Sequence, residues 1–465
     1  MSMKTTLLTL FAMTAMLTLS SCATQSKKET CCDKKMKIMT LDPGHFHAAL
    51  VQKNMYADVD STVFVYAPDG DDLNMHLKRI EGFNTRSENP THWNLDVYRG
   101  EDFFQKMIEE KKGNVLVTAG NNQKKTFYIK AAVENGINVL ADKPMVINTE
   151  NFNMLLQAFD IAKKNNVLIY DIMTERFEIT TILQKELSLI SDLFGTLEPG
   201  TPENPSVTKE SVHHFFKTVA GSPLIRPQWF FDVTQQGEGI VDVTTHLVDL
   251  VQWECFPEQV LDYKTDVEIV DANRWTTPIN KEEWKQVTGT ETFPDYLSTH
   301  VANDVLNVYA NGDITYKLKG VTAKVSVIWN YAAPQGGGDT HYSIMRGTKA
   351  NLIIRQGAEQ QYKPSLYIEP ADGVVTPEFE EAAKKAVSAL ESKYLGISLG
   401  KDNKGYEVII PQSYHVGHES HFGQVTEKFL EYFKAGKLPD WEVPNMIAKY
   451  YTTTRALEVA MGKSK

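Results

Sequence analysis

Short apolar runs alternate with amphipathic segments through the first half of the chain. Gly, Pro, Asn or Asp residues bound most of the runs, which is typical of buried parallel strands, and the segments between them show helical spacing. The predicted strands cover residues 37–41, 63–67, 95–98, 115–119, 139–141 and 167–172, and the predicted helices cover 48–56, 101–112, 126–135 and 148–165. This alternation predicts an α/β fold with a doubly wound parallel sheet over residues 37–172.

The pattern changes in the second half, where apolar and polar residues alternate with a period of two. Residues 303–310 and 313–318 flank Asn311-Gly312, a dipeptide that strongly favours a hairpin turn. Residues 322–331, 342–345 and 351–355 are also typical of strands. We therefore predict a second, C-terminal α+β domain over residues 173–465, built on an open, largely antiparallel sheet.

Polar turns follow the predicted strands of the first half, at the edge where doubly wound sheets bind their ligands. These turns carry Asp42, Gly44, Asp69, Asn121, Asn122, Asp142 and Lys143. Of the G-x-G-x-x-G phosphate turn only the central glycine is present, as Gly44, and His45 and Phe46 lead from it into a helix start with free N–H groups. The sequence thus predicts a Rossmann-like dinucleotide-binding domain whose phosphate turn departs from the usual pattern.

Asp69 follows the second predicted strand and has two interpretations. A carboxylate at this place can bind the ribose hydroxyls, which favours NAD over NADP as the cofactor. An aspartate before Gly70 is equally typical of a simple turn.

Composition and charge narrow the class of protein. The 465 residues carry a formal net charge of −11 and no long basic run, which argues against a nucleic-acid partner. Four cysteines in a chain of this length do not indicate a disulfide scaffold.

The first 21 residues predict an export signal. Lys4 precedes a short apolar run, and the run ends in Leu19-Ser20-Ser21-Cys22, which resembles a bacterial lipoprotein signal. The resemblance implies cleavage before Cys22, lipidation of Cys22 and a flexible tether over residues 22–36; a plain secretory signal is the alternative. The mature chain is then expected on the periplasmic side of a membrane or at the cell surface, anchored through the lipid.

Four motifs occur in the order found in one family of oxidoreductases. They are Asn122 after a strand, Asp142-Lys143-Pro144, Arg176-Phe177, and Gly237-Glu238-Gly239 followed by Asp242-x-x-x-His246. This order resembles the glucose–fructose oxidoreductase, inositol dehydrogenase and MocA family over roughly residues 37–256. The resemblance implies NAD, a carbohydrate or polyol substrate, contacts from Arg176 to the substrate, and a homo-oligomer formed through the second sheet.

The residue types suit oxidation of an alcohol. His246 is the candidate base, because an imidazole titrates near neutral pH, and Lys143 can stabilise the developing alkoxide. Asp242 is predicted on the same helix face as His246, where it can bind a sugar hydroxyl or tune the imidazole.

His415, His418 and His421 are spaced three residues apart, but Gly417 argues against one regular helix through them. Contacts to substrate hydroxyls or helix capping are better interpretations than a metal site, and no metal is predicted.

The sequence therefore predicts an exported, NAD(H)-dependent oxidoreductase that acts on a secondary hydroxyl or ketone of a carbohydrate or polyol, for example at C3 of a glycoside. The cofactor is expected to be held tightly, because free cofactor is scarce outside the cytoplasm. One alternative is an NAD-dependent glycosidase that works by transient oxidation and elimination. Another is a sugar-binding lipoprotein without catalytic activity, which the incomplete phosphate turn favours.

Overall fold

A six-stranded parallel sheet forms the first half of the computed structural model, which describes residues 35–219 and 222–463. The strand order is β3-β2-β1-β4-β5-β6, which is the order of a dinucleotide-binding sheet and confirms the predicted fold class. Its elements are β1 Ile38–Leu41, α1 His47–Leu50, β2 Thr62–Ala67, α2 Asp71–Thr85, β3 Asn94–Arg99, α3 Phe103–Glu110, β4 Val115–Thr118, α4 Lys125–Glu134, β5 Asn138–Asp142, α5 Thr149–Asn165 and β6 Ile169–Ile172.

A ten-stranded mixed sheet dominates the second half. Its main path runs β10-β12-β13-β7-β14-β15-β16-β18-β17, β11 pairs with β12, and all pairs are antiparallel except β13 with β7. The elements are α6 Ile179–Ser188, α7 Ser191–Phe194, β7 Val207–Phe216, β8 Thr218–Val219, β9 Ser222–Pro223, α8 Thr244–Cys255, β10 Val267–Asn280, α9 Lys281–Thr288, β11 Val301–Ala302, β12 Val305–Leu318, β13 Val321–Ala332, β14 Thr340–Arg346, β15 Ala350–Arg355, β16 Ser365–Pro370, α10 Pro377–Glu391, β17 Ser398–Lys401, β18 Tyr406–Ile409, α11 His418–Ala435 and α12 Glu442–Ala460.

The predicted hairpin at Asn311-Gly312 is wrong, because β12 runs straight through both residues. The turn to β13 lies instead at Lys319-Gly320, where both residues have positive φ. Gly312 serves close packing: a β-carbon there would lie 2.8 Å from the Cβ of Ile240. Gly239 packs beside it, and a β-carbon on Gly239 would lie 1.8 Å from the carbonyl oxygen of Ala310. These glycines thus fix the glycine-rich turn against β12.

The last two helices pack back onto the first sheet. Phe422 and Phe429 of α11 join the apolar cluster on one face, and Met446 and Tyr450 of α12 join the cluster on the other. Residues Lys35–Lys465 accordingly form one compact unit. The predicted domain boundary between residues 172 and 173 falls between the last strand of the first sheet and the first strand of the second. That each sheet belongs to a separate domain stays a prediction.

The export signal, Cys22 and most of the tether lie outside the described residues. Among the residues that the structure describes, no helix combines the length and the apolar character that crossing a bilayer requires.

His76, on the buried face of α2, predicts a pH-dependent stability. Within the described residues neither ring nitrogen has a hydrogen-bond partner, and burial lowers the pKa of the imidazole to about 3. The unfolded chain protonates His76 below about pH 6.5, whereas the folded chain does not. The free energy of unfolding should therefore fall as the pH drops from about 6.5 toward 3, by about 1.4 kcal/mol per pH unit from this group. Urea titrations at several pH values give the free energy of unfolding as a function of pH. This free energy should depend less steeply on pH for His76→Leu, while the exposed control His92→Leu should keep the wild-type dependence.

Candidate active site

Turns at the carboxyl ends of β1, β4 and β5 meet because these strands are neighbours in a parallel sheet. The loop before α8 crosses over them: the Asn122 backbone N–H donates to the Gln235 carbonyl oxygen at 2.9 Å, and the Asn122 side chain donates to the Gln236 carbonyl oxygen at 2.6 Å. The Asn121 side-chain amide donates to Gln235 at 2.7 Å. The strand-end site formed in this way contains His45, His47, Asp142, Lys143, Asp242 and His246.

Lys143 and Asp242 form the central ion pair of this site. The Lys143 ammonium donates to Asp242 Oδ1 at 2.6 Å, and the Gln236 amide donates to the other carboxylate oxygen at 3.0 Å. Burial alone would lower the pKa of Lys143, but the carboxylates of Asp242 and Asp142 outweigh burial and raise the pKa above its usual value. Lys143 is therefore a charged donor whose direction Asp242 fixes.

Asp242 is not on the helix that carries His246, contrary to the prediction. Helix α8 begins at Thr244, and Asp242 lies in the turn before it. Its carboxylate contacts Lys143 and Gln236, so it positions the lysine rather than the imidazole.

His246 lies in the first turn of α8 and is buried. Its Nδ1 has no hydrogen-bond partner within the described part of the chain. Burial, assisted by the ammonium of Lys143, lowers the pKa of His246 to about 4. The imidazole is therefore unprotonated at neutral pH and can accept a proton from a bound substrate.

A second group of side chains faces Asp142. His47 Nδ1 lies 3.0 Å and His45 Nδ1 3.8 Å from Asp142 Oδ2, and the two imidazole rings are 4.1 Å apart. Burial holds the pKa of both histidines well below the usual value, so both rings are neutral. His418 approaches from α11, with its ring 5.8 Å from that of His47 and its Nδ1 3.3 Å from Glu175.

The phosphate turn holds less free space than the sequence suggests. A β-carbon on Gly44 would lie 2.9 Å from both Asp72 Oδ2 and an indole carbon of Trp229, and the indole N–H donates to Asp72 at 2.8 Å. The N–H groups of Gly44 and His45 already donate to carbonyl oxygens of the protein. Burial also raises the pKa of Asp42 to about 6, which indicates an environment unfavourable to a further negative charge.

The two ends of the site therefore differ in how they suit a nicotinamide dinucleotide. At the nicotinamide end, Lys143 is a donor and the buried Oδ1 of Asn122 lacks a partner among the described residues, so the donor and acceptor set fits a carboxamide and a substrate oxygen. At the diphosphate end, the side chains of Trp229 and Asp72 lie against Gly44.

Two predicted residues lie apart from the strand-end site. Asp69 is exposed after β2 and pairs with Arg99 at 2.6 Å, which leaves both of its interpretations open. Arg176 is buried, and its guanidinium binds Asp249 at 2.7 Å and Glu442 at 2.9 Å. Because these carboxylates engage it, we assign Arg176 to an internal ion network rather than to substrate binding.

His415, His418 and His421, which the sequence singled out by their spacing, do not come together in one cluster. Helix α11 begins at His418, after Gly417, and the rings of His418 and His421 are 6.5 Å apart. In the described part of the chain the three are not among the groups that could hold a metal ion.

His47, Glu175 and Trp229 lie at or beside this site and were not predicted from the sequence. The pair His45-x-His47 after a strand was a usable signal for His47, because both side chains follow a strand end. Nothing in the local sequence of Glu175 or Trp229 indicates their positions, which depend on long-range packing.

Comparisons with known proteins give the family. Residues 183–461 match the family described as "Putative oxidoreductase C terminal domain". A crystal structure of a "putative oxidoreductase" from Parabacteroides merdae ATCC 43184 is 60% identical, covers 94% of this chain and 99% of that chain, and has a TM-score of 0.91. No curated protein matches the chain in sequence.

More distant structures share the fold. A structure described as a "putative oxidoreductase" from Thermotoga maritima is 15% identical, with a TM-score of 0.57 and coverage of 92% of this chain and 99% of that chain. Levoglucosan dehydrogenase in complex with NADH and levoglucosan is 11% identical, with a TM-score of 0.56 and coverage of 92% and 98%. Since the match to residues 183–461 spans more than half of the sequence, the chain belongs to the oxidoreductase family that this C-terminal domain defines.

Proposed function

We propose that the protein is an NAD(H)-dependent oxidoreductase that interconverts a secondary hydroxyl and a ketone on a carbohydrate or polyol. One observation carries the proposal: a charged lysine and a neutral, buried imidazole lie together at the carboxyl end of a dinucleotide-binding sheet. The levoglucosan dehydrogenase that shares the fold was solved with NADH and a sugar derivative, which supports this class of substrate.

The chain's own residues account for binding and for the proton. Lys143 donates a hydrogen bond to the substrate oxygen and stabilises negative charge on it, since Asp242 holds the ammonium in place. His246 takes the hydroxyl proton during oxidation and returns it during reduction. The loop before α8 covers the strand ends and excludes water from the reacting oxygen.

The cofactor, when bound, supplies hydride acceptance at its nicotinamide ring. Asn122 and Lys143 would hold the nicotinamide end, with Asn121 and Asp142 beside them. The backbone of Gly44, His45 and Phe46 would hold the diphosphate once the N–H groups of Gly44 and His45 leave their present carbonyl partners. Asp69 would bind the ribose hydroxyls, which favours NAD; the neighbouring Arg99 is the type of group that NADP needs, so both cofactors should be compared. We further propose that export and lipidation at Cys22 keep the enzyme outside the cytoplasm with a tightly held cofactor.

The test uses the full mature chain, purified without added cofactor. Denaturation should release NAD(H), detected by mass spectrometry. Incubation with a panel of glycosides and polyols, in the presence of a carbonyl compound that takes the hydride from the bound cofactor, should give one product that has lost two hydrogens. The variant His246→Ala should keep its bound cofactor and lower the turnover number by about 10²–10⁴-fold, because the base is removed while the binding site stays.

A matched control is His92→Ala, which changes an exposed histidine and should leave turnover and cofactor content at the wild-type level. Release of an aglycone without net redox change would identify the glycosidase alternative. A keto-sugar that accumulates would identify the dehydrogenase. Equal turnover in His246→Ala and the wild type would contradict the role of this imidazole.

One observation favours a protein that binds sugars without catalysis. The side chains of Trp229 and Asp72 lie against Gly44, on the side from which its missing β-carbon would project, and this leaves little free space at the phosphate turn. Calorimetric titration with NAD⁺ and NADH separates the two functions: absence of bound or bindable cofactor, together with binding of a sugar from the panel, would establish the alternative.

A further inference from the structure

The cluster formed by His45, His47 and Asp142 has the composition and the size of a metal site. One ligand atom from each residue lies within 4.8 Å of the other two among the described residues. The shorter separations are 3.0 Å between His47 Nδ1 and Asp142 Oδ2, and 3.8 Å between His45 Nδ1 and the same oxygen. Ligand atoms about 2.1 Å from a common ion stand roughly 3–3.5 Å apart. The His45 ring must therefore turn toward Asp142, and its Nδ1 must give up the hydrogen bond that it accepts from the His47 N–H at 3.3 Å.

The backbone holds the three ligands on rigid supports. Asp142 is the last residue of β5, and Lys125 donates to its carbonyl oxygen at 3.1 Å. The His45 N–H donates to the Ala119 carbonyl oxygen at 3.1 Å, and the Ala48 N–H donates to the His45 carbonyl oxygen at the same distance. Asp142 therefore comes from the end of a strand, His45 from the turn that follows β1, and His47 from the first residue of α1.

We propose that His45, His47 and Asp142 bind one divalent transition-metal ion at the carboxyl ends of β1 and β5. Two imidazoles and one carboxylate are the donor set of zinc and of non-haem iron or manganese sites, whereas calcium and magnesium prefer oxygen ligands alone. Three protein ligands leave open positions for water or substrate. No metal was predicted from the sequence, where only His415, His418 and His421 were considered as ligands.

The charges around the cluster are compatible with a cation. Lys125 and Lys143 bring two ammonium groups close to it, but Lys143 is paired with Asp242. Three carboxylates, those of Asp142, Asp242 and Glu175, face these two ammonium groups. The carboxylates therefore offset the two ammonium groups near a divalent ion at this place.

The ion has a role that rests on the proposed function. The Asp142 carboxylate acts on the Lys143 ammonium, so the two side chains face the same site. A substrate oxygen bound by Lys143 would then have a neighbouring hydroxyl within reach of an ion held at Asp142. A metal with open positions selects substrates that carry two adjacent oxygens, as in a vicinal diol or an α-hydroxy ketone of a carbohydrate. The metal site itself can be measured without any turnover.

The experiment measures metal content and affinity on the full mature chain carrying no polyhistidine tag. The protein is stripped with a chelator and titrated with Zn²⁺, Mn²⁺ and Co²⁺ by calorimetry, and mass spectrometry gives the bound stoichiometry. We expect one ion per chain for the wild type. His47→Gln and His45→Gln should each weaken binding by at least about 100-fold, since each removes a direct ligand. The exposed control His92→Gln should bind as the wild type does.

Two further variants keep the test decisive. Lys143→Met should bind the ion with wild-type stoichiometry while losing turnover, which separates failure of the metal site from failure of the proposed function. If His47→Gln unfolds, as judged by circular dichroism, His45→Gln carries the test, because its imidazole is the more exposed of the two. Less than a tenth of an ion per chain at saturating metal, or unchanged binding in a folded histidine variant, would overturn the proposal. The short distance between His47 and Asp142 would then be explained by a hydrogen bond alone.

Discussion

Replacing Lys143 by methionine is expected to lower kcat/KM for the substrate found in the panel by about 10²–10³-fold, the usual loss when one charged donor to an oxyanion is removed. Methionine keeps the length of the side chain and removes the ammonium that Asp242 holds at 2.6 Å. The effect should appear mainly in kcat, because the interaction strengthens as negative charge develops on the substrate oxygen. Steady-state kinetics with the identified sugar measure it.

The matched control is Lys163→Met, which changes an exposed lysine on α5 and should leave kcat/KM unchanged. Because Lys143→Met leaves Asp242 buried without its cation, the double variant Lys143→Met/Asp242→Asn tests whether any loss comes from that stranded charge. Recovery of activity in the double variant would show that Lys143 has no direct part in the chemistry.

Replacing Arg176 by methionine is expected to destabilise the fold by about 3–5 kcal/mol, the usual cost of breaking a buried ion pair from one side. Arg176 contacts Asp249 through two nitrogens and Glu442 through a third, and all three side chains are buried. The variant leaves Glu442 without its cation, while Asp249 keeps Lys449 at 2.8 Å. Urea unfolding followed by circular dichroism measures the change.

The control for this prediction is Arg99→Met, which breaks the solvent-exposed pair with Asp69 and should cost no more than about 1 kcal/mol. A folded Arg176→Met with near-normal stability and a raised KM for the sugar would instead support the substrate-binding role that the sequence analysis gave to Arg176.

Local pattern was sufficient to predict the strands of the first sheet, because most of them are short runs of buried residues. Strand β3 contains no buried residue, and helix α2 was not predicted. The same reasoning failed at Asn311-Gly312, where the local turn preference gave way to tertiary packing. Gly312 is glycine because Ile240 packs against its backbone, and only the folded structure brings these residues together.

The site was predictable where a residue follows directly from a strand end. Lys143 and Asp142 lie as expected at the end of β5. Asp242 is 99 residues away from Lys143 in the chain, and the order of the motifs indicated that the two share one site, where they form an ion pair. The ion pairs of Arg176 were not predictable, because its motif position does not reveal Asp249 and Glu442 as partners. Trp229 was missed because its contact with Asp72 crosses 157 residues and has no local pattern.

The return of α11 and α12 to the first sheet has a consequence for how the protein is made. Phe422, Phe429, Met446 and Tyr450 complete both apolar faces of a sheet whose strands all precede residue 173. During synthesis the half that contains the first sheet must therefore wait, with exposed apolar surface, until the last helix has left the ribosome. A fragment that ends before α11 should consequently aggregate, and protein made for crystallography or display should keep both C-terminal helices.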